Sequence, residues 1–266
     1  MGRLMNVEQC HKYILDNYMT KTYEQLSRKT RMSPYKIKKY LNSQGLKKEK
    51  IFDRNFFHSI DTPEKAYYLG LIYADGSIHN SGFTISLKYD DKYILERLAE
   101  LLGGAHEVKQ KESRNILHGK LYVTQLAILS VSAKEMREDL ISLGVVPRKT
   151  YEREYPRCNK YFFDFLRGYL DGDGCIYTND KEISIILTGS NYNFFRYLNS
   201  MIKKTFKTHG VLSSPDRWEK RLRFTRRDEV ISILKALYQD KNSPRLERKY
   251  MKYYNYMIAH GFEVIE

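Results

Sequence analysis

The chain has 266 residues, enough to bury one large core and a small second one. Its formal net charge of +14 and pI near 9.4 indicate a polyanionic partner, and no apolar run of about 18 residues exists that could span a membrane. Three cysteines, Cys10, Cys158 and Cys175, lack metal-like spacing, which fits a reducing compartment and excludes a disulfide framework.

The first 46 residues are predicted to form a compact helical unit. Residues 1–60 hold 13 Lys and Arg against 5 Asp and Glu, a net charge of +8, which is more than half of the excess of the whole chain. Residues 47–60, which begin with a lysine run, are predicted to be a linker. The helices are expected at about 7–18, 22–29 and 33–43.

The last two of these helices resemble a helix-turn-helix. They are joined by the short turn Thr30-Arg-Met32, and Ser33 followed by Pro34 is typical of a helix start. In a helix-turn-helix the final helix enters the major groove of DNA. The alternative is a generic three-helix bundle with a solvated lysine face. If the final helix binds DNA, its exposed side presents Tyr35, Lys36, Lys38 and Lys39.

One stretch occurs twice, as Tyr68-Leu-Gly-Leu-Ile-Tyr-Ala-Asp-Gly76 and as Leu166-Arg-Gly-Tyr-Leu-Asp-Gly-Asp-Gly174. Each copy is a short apolar run that contains glycine and ends in Asp-Gly. A glycine inside a helix costs about 1 kcal/mol relative to Ala, so glycine at the same place in two helices indicates close packing between them. Because residues four apart share a helix face, this packing is predicted to use Gly70, Ala74, Gly168 and Gly172.

Such packing would bring Asp75 and Asp173 together at the C-terminal ends of the two helices. Converging carboxylates are hard oxygen ligands that suit a divalent cation such as Mg2+, and helix C-termini favour positive charge. For one copy alone, a core helix that ends in an Asp-Gly turn is an equally good interpretation. The recurrence of the motif 98 residues later (173 minus 75) argues against it.

The segments that follow the two motifs also repeat. Ile85 and Leu87 alternate with polar residues as in a half-buried strand, and the same pattern returns 100 residues later. Ser132-Ala-Lys-Glu135 is predicted to be a capping box. Each copy is therefore expected to read helix, hairpin, helix, hairpin, helix. The predicted fold class is α+β, with two pseudo-symmetric αββαββα half-domains (61–156 and 157–266), antiparallel saddle-shaped sheets and a small all-α N-terminal domain.

With these two motifs the chain resembles the LAGLIDADG homing endonucleases of the single-chain, two-motif kind, although Tyr73 replaces the first Asp of the motif in copy one. The resemblance implies that Asp75 and Asp173 are catalytic and bind Mg2+, with Mn2+ as a substitute. Backbone carbonyls near Gly76 and Gly174 are further candidate ligands. The implied reaction is hydrolysis of one phosphodiester in each strand of a long, non-palindromic DNA site.

A basic residue lies near the metal site in this family, and the resemblance makes Lys149 and Lys249 the candidates. They recur at matched positions near the end of each copy. Contact with the phosphate backbone is an alternative role for both lysines, and Arg148 and Arg248 could exchange roles with them.

The family places strands of its two sheets in the major groove. The polar positions of the predicted strands suit that use, since Arg can bridge guanine O6 and N7 or hold phosphate. For each residue alone, a solvated strand face is an equally good interpretation. The candidate DNA-binding residues of the strands are Thr84, Ser86, Lys88, Ser184, Thr188, Arg217, Arg221 and Arg223.

Three functions are compatible with these features: a site-specific DNA endonuclease, an intron RNA maturase, and a catalytically inactive DNA-binding regulator. Intact Asp75 and Asp173 argue against the regulator, which has no use for two converging acids. We expect double-stranded DNA as the partner, with intron RNA as the alternative, and a monomer that does not bind membranes. The expected location is intracellular, in bacterial or phage-infected cytoplasm, with an organelle as the alternative.

Overall fold

The computed structural model describes residues 5–21, 23–46, 52–117, 119–145, 155–214, 216 and 218–264. Lys149, Arg148 and Arg217 lie outside the described residues, as do the lysines at 47, 48 and 50. The chain divides into two compact units, Met1–Ile51 and Phe52–Glu266. Within the described ranges, no helix has the length and apolar character needed to cross a membrane.

The first unit contains three helices, α1 (Val7–Asn17), α2 (Tyr23–Thr30) and α3 (Pro34–Ser43). Its small core consists of Ile14, Leu26, Ile37 and Leu41. The hydroxyl of Ser33 accepts a hydrogen bond from the Lys36 amide, as expected of a helix N-cap. Arg31, in the turn between α2 and α3, has a φ of 59°, a left-handed conformation that favours glycine.

The second unit contains two half-domains, each with a four-stranded antiparallel sheet. The strand orders are β1-β2-β4-β3 and β5-β6-β8-β7, so the same topology occurs twice. This confirms the predicted α+β fold of two repeated halves. The first half contains α4 (Pro63–Asp75), β1 (Gly76–His79), β2 (Gly82–Lys88), a 3-10 turn (Tyr89–Asp91), α5 (Lys92–Leu101), β3 (Lys109–Leu117), β4 (Lys120–Ser132) and α6 (Lys134–Ser142). The second half contains α7 (Phe162–Asp173), β5 (Gly174–Thr178), β6 (Ile183–Gly189), α8 (Tyr192–Phe206), β7 (Val211–Leu212), β8 (Lys220–Phe224), α9 (Arg227–Leu237) and α10 (Glu247–Ala259).

One hydrophobic core runs through both halves, with α4 and α7 at its centre. The two helices are buried around nearly their whole circumference, because they pack on each other and are covered by the sheets and outer helices. The strands bury alternate side chains against this core: Ile85 and Leu87 in the first half, and Ile185 and Leu187 in the second. The other face of each sheet therefore points away from this core.

Two local predictions are wrong. Residues 52–60 are not part of a linker, because Phe56 and Phe57 are buried in the core of the second unit. The capping box at Ser132 does not form, because Ser132 is still paired in β4 and the N-cap of α6 is Ala133, without a side-chain hydrogen bond. In both places tertiary packing overrides a local pattern.

Candidate functional site

The two motif helices approach each other through their glycines. A Cβ added at Gly70 would overlap the carbonyl oxygen of Phe165, and one at Gly168 would overlap that of Tyr67. A Cβ at Gly172 would overlap the methyl group of Ala74. All four residues of the predicted interface therefore lie where α4 and α7 meet, and the close approach requires glycine at positions 70 and 168.

The two motif aspartates are the last residues of α4 and α7. After each of them a glycine leaves the helix in an extended conformation and begins a strand. A Cβ at Gly172, the neighbour of Asp173, would lie 3.1 Å from Asp75 Oδ2, so the carboxylate of Asp75 lies beside the end of α7. Asp75 is exposed and Asp173 is half-buried. The structure thus brings both aspartates to one place, at the adjoining ends of the central helices.

The carboxylates of Asp75 and Asp173 could supply part of the coordination shell of a divalent cation. Among the described residues, no group of three or more His, Cys, Asp or Glu side chains could hold a metal. Two carboxylates, with water and phosphate oxygens to complete the coordination, are what Mg2+ commonly uses. The carbonyl of Gly174, a predicted backbone ligand, already accepts a hydrogen bond from Lys249 at 2.6 Å.

Lys249 is buried, with 6% of its surface exposed. Its ammonium donates to the carbonyl oxygens of Leu170 (2.7 Å), Asp171 (2.6 Å) and Gly174 (2.6 Å). Burial lowers the pKa of Lys249 to about 8, and the negative charge of Asp171 partly offsets this effect. Its neighbour Arg248 donates a hydrogen bond from Nε to Oδ2 of Asp91, in the first half, at 2.9 Å. Both members of the basic pair in the second half therefore make structural contacts.

Two ionisable residues of α7 have structural roles that the sequence analysis did not predict. Asp171 is fully buried, and its Oδ2 accepts hydrogen bonds from the Leu246 amide and the Tyr67 hydroxyl, both at 2.8 Å. Burial raises the pKa of Asp171 to about 6. Arg167 is buried as well, and donates to the carbonyls of Pro244 (2.9 Å) and Leu237 (2.7 Å). The available signal was their presence within an apolar motif, where copy one has Tyr and Leu.

Strand register assigns the outer face of the first sheet. Thr84, Ser86 and Lys88 lie opposite Ser130, Ile128 and Leu126 of β4, on the side away from the core, and the hydroxyl of Thr84 contacts that of Ser130 at 3.1 Å. The same two β4 residues, Ile128 and Leu126, lie opposite Lys109 and Lys111 of β3. Directly opposed residues share one face. Lys88, Lys109 and Lys111 therefore lie on this face, and the sequence pattern predicted only Lys88 of them because it assigned no register to β3.

In the second sheet, some of the predicted DNA-binding residues are exposed and others are not. Arg221 and Arg223 are exposed and lie opposite Thr188 and Ile186 on the outer face. Arg221 also pairs with Glu219. The hydroxyl of Thr188 donates to the carbonyl of Asp173 at 2.8 Å. Ser184 is only 7% exposed, so its side chain is poorly placed to contact DNA.

In the first unit, the predicted DNA-binding residues share one exposed surface. Tyr35, at the start of α3, is 74% exposed. Lys36, Lys38 and Lys39 are exposed too, whereas Ile37 between them is buried in the unit's core. The exposed side of α3 is therefore basic, with one aromatic ring near its start.

Residues 162–230 match a family model described as a LAGLIDADG-like domain. No curated protein sequence matches the chain at a significant level. Among solved structures, the homing endonuclease I-WcaI, bound to its DNA recognition sequence, is similar over 75% of this chain and 91% of its own, at 11% identity and a TM-score of 0.51. The meganuclease I-SmaMI bound to uncleaveable DNA is similar over 76% and 91%, at 14% identity and a TM-score of 0.49.

Full-length DUF199/WhiA from Thermatoga maritima is similar over 80% of this chain, at 15% identity and a TM-score of 0.47. This chain covers 66% of that protein, just under two thirds of its length.

Proposed function

We propose that this chain, which has the LAGLIDADG fold, is a site-specific endonuclease that cuts both strands of a long, non-palindromic DNA target. The observation that carries the proposal is the meeting of Asp75 and Asp173 at the ends of two helices that only glycine allows to pack so closely. The structural likeness to I-WcaI, which is bound to DNA, supports the choice of substrate.

The two carboxylates are the proposed metal ligands, with Mg2+ or Mn2+ as the cation. Bound there, the cation would activate a water molecule and stabilise negative charge on the leaving oxygen. Asp75 is exposed, as contact with a metal-bound phosphate of one strand would require. The hydroxyl of Thr188 donates a hydrogen bond to the backbone carbonyl of Asp173. The aspartate of each half is expected to bind the metal that cleaves one of the two DNA strands.

The outer sheet faces are the proposed DNA interface. Lys88, Lys109 and Lys111 supply positive charge in the first half, and Arg221 and Arg223 supply it in the second. Lysine is suited to phosphate, whereas arginine also reads guanine. Because the two faces differ in residue type, the two half-sites should differ in sequence. The exposed side of α3 is proposed to add contacts outside this main site.

A second candidate function is DNA binding without cleavage. One observation favours it: Lys249 is buried with its three donors used, so it is not placed for the basic role that the family resemblance implies. Its neighbour Arg248 is paired with Asp91. The intron RNA maturase has no such observation in its favour.

A cleavage selection separates the two candidates. A library of random or host-genome duplexes is incubated with the protein and Mg2+, and cut ends are sequenced. The endonuclease predicts one enriched site that is cut in both strands. The matched control is the double variant Asp75→Asn, Asp173→Asn, which should enrich nothing. Sequence-specific retention of DNA without any cut ends would instead support the non-cleaving protein and overturn the endonuclease.

A further inference from the structure

We propose that Lys249 is a positioning residue that fastens the junction between α7 and β5 and thereby holds Asp173 in place. This inference rests on the proposed function, because it explains how one of the two proposed metal ligands is held. The positioning role replaces that of a cation at the reacting phosphate, which the family resemblance implies for Lys249.

The ammonium of Lys249 has all of its donors in use. A lysine ammonium has three N–H donors, and Lys249 uses them on three carbonyls at 2.6–2.7 Å. Its side chain is buried, so a water molecule or phosphate could bind it only by displacing one of these carbonyls. Such a displacement would break a hydrogen bond from a charged donor, which is costly. The geometry therefore disfavours direct contact with substrate.

The three carbonyls lie on both sides of Asp173 in the chain. The last carbonyls of a helix have no partner within the helix and attract a cation. Lys249 binds the carbonyl of Asp171 and shares that of Leu170 with the Gly174 amide, and it also binds the carbonyl of Gly174, the first residue of β5. The carbonyl of Asp173 itself accepts from Thr188. The backbone is therefore held before, at and after the proposed metal ligand.

The attachment between α7 and α10 is reciprocal. Lys249 belongs to the first turn of α10, and α7 holds the segment that leads into this turn. Asp171 accepts from the Leu246 amide, and Arg167 donates to the carbonyls of Pro244 and Leu237. Copy one has Leu69 and Tyr73 at the positions of Arg167 and Asp171, so this buried polar frame is specific to the second half.

The test compares Lys249→Met with Lys252→Met. Lys252 is one turn further along α10, is exposed, and donates to a single β5 carbonyl at 3.2 Å, so it is a matched control. Three quantities are measured for each protein: Mn2+ affinity on the DNA complex by electron paramagnetic resonance, amide hydrogen exchange in the peptides around 166–178 and 66–78, and the turnover of DNA cleavage as Mn2+ is raised.

A positioning role predicts that Lys249→Met weakens Mn2+ binding by about 10- to 100-fold, as is typical when a residue supporting a metal ligand is lost. Turnover should return at high Mn2+. Exchange should quicken in the 166–178 peptide and stay unchanged around 66–78, and Lys252→Met should match wild type. If Lys249→Met does not fold, Lys249→Gln, which keeps two donors, should give the same pattern in weaker form.

Unchanged Mn2+ affinity and unchanged exchange, with a turnover that high Mn2+ does not restore, would overturn the inference and assign Lys249 to the reacting phosphate. A wild-type protein that neither binds Mn2+ nor cuts DNA would overturn the proposed function instead. In that case hydrogen exchange alone still decides whether Lys249 fastens the junction.

Discussion

Asp171 is a carboxylic acid in the middle of the protein core, and its environment determines its charge. Burial raises its pKa from the ordinary 3.8 to about 6, although the nearby Lys249 favours the ionised form. One of its oxygens accepts two hydrogen bonds, whereas Oδ1 has no partner among the described residues. The folded protein therefore holds a proton on Asp171 at pH values where the unfolded chain has already lost it.

The sign of the resulting pH dependence follows from proton linkage. Between about pH 4 and 6 the folded state binds more protons than the unfolded state, so this group makes the free energy of unfolding fall as pH rises, by about 3 kcal/mol over that range. Asp171→Asn should remove that fall. Urea unfolding at several pH values measures it, with the exposed Asp90→Asn as control. An undiminished fall in the Asp171 variant would show that its carboxyl is not the cause.

Among the secondary-structure elements, α4 and α7 depend on the absence of side chains at their crossing. Gly70→Ala and Gly168→Ala each place a methyl group on a backbone carbonyl, which cannot move without separating the helices. We expect each to destabilise the protein by about 3 kcal/mol, the upper end of typical overpacking costs. Gly172→Ala meets side-chain atoms and no backbone atom, namely the methyl group of Ala74 and the carboxylate of Asp75 at the helix ends, and should cost less. Denaturant unfolding ranks the three variants, and equal stabilities would contradict this description of the interface.

The turn between α2 and α3 can be tested in the same way. Arg31 adopts a φ of 59°, which costs a non-glycine residue about 1–2 kcal/mol. Arg31→Gly should therefore maintain or raise the stability of the first unit. Arg31→Val should lower it, because β-branched residues tolerate this conformation poorly. Hydrogen exchange of the α2 and α3 amides measures the effect, and a valine variant as protected as the glycine variant would contradict it.

Local patterns predicted most of the elements and failed where distant contacts decide. The alternation around Ile85 and the Asp-Gly ends of the motif helices are properties of neighbouring residues, so both could be read from the sequence. The register of β3, and with it the place of Lys109 and Lys111, depends on pairing with β4. The role of Lys249 depends on contacts with residues 75 to 79 positions away. No local pattern reports such contacts.

Over the molecule as a whole, the excess of positive charge should appear as salt-dependent DNA binding. The slope of log K against log salt falls by about 0.9 for each phosphate that the protein no longer neutralises. Replacing Lys36, Lys38 and Lys39 by Gln should therefore lower the slope by up to about 3. A matched control replaces three exposed lysines on outer helices: Lys203, Lys204 and Lys235. Equal slopes for the two triple variants would show that the lysines of α3 do not contact DNA phosphates.

Asp75 and Asp173 are proposed to form one cleavage site together, and cleavage of a selected target in Mg2+ tests this proposal most directly. Asp75→Asn and Asp173→Asn should each abolish double-strand cleavage while leaving Mg2+-independent DNA binding near wild type, because the carboxylates are proposed to bind the metal and not the DNA. The exposed Asp180→Asn serves as the control and should cut normally. Double-strand cleavage at the wild-type rate by both motif variants would contradict the proposed site.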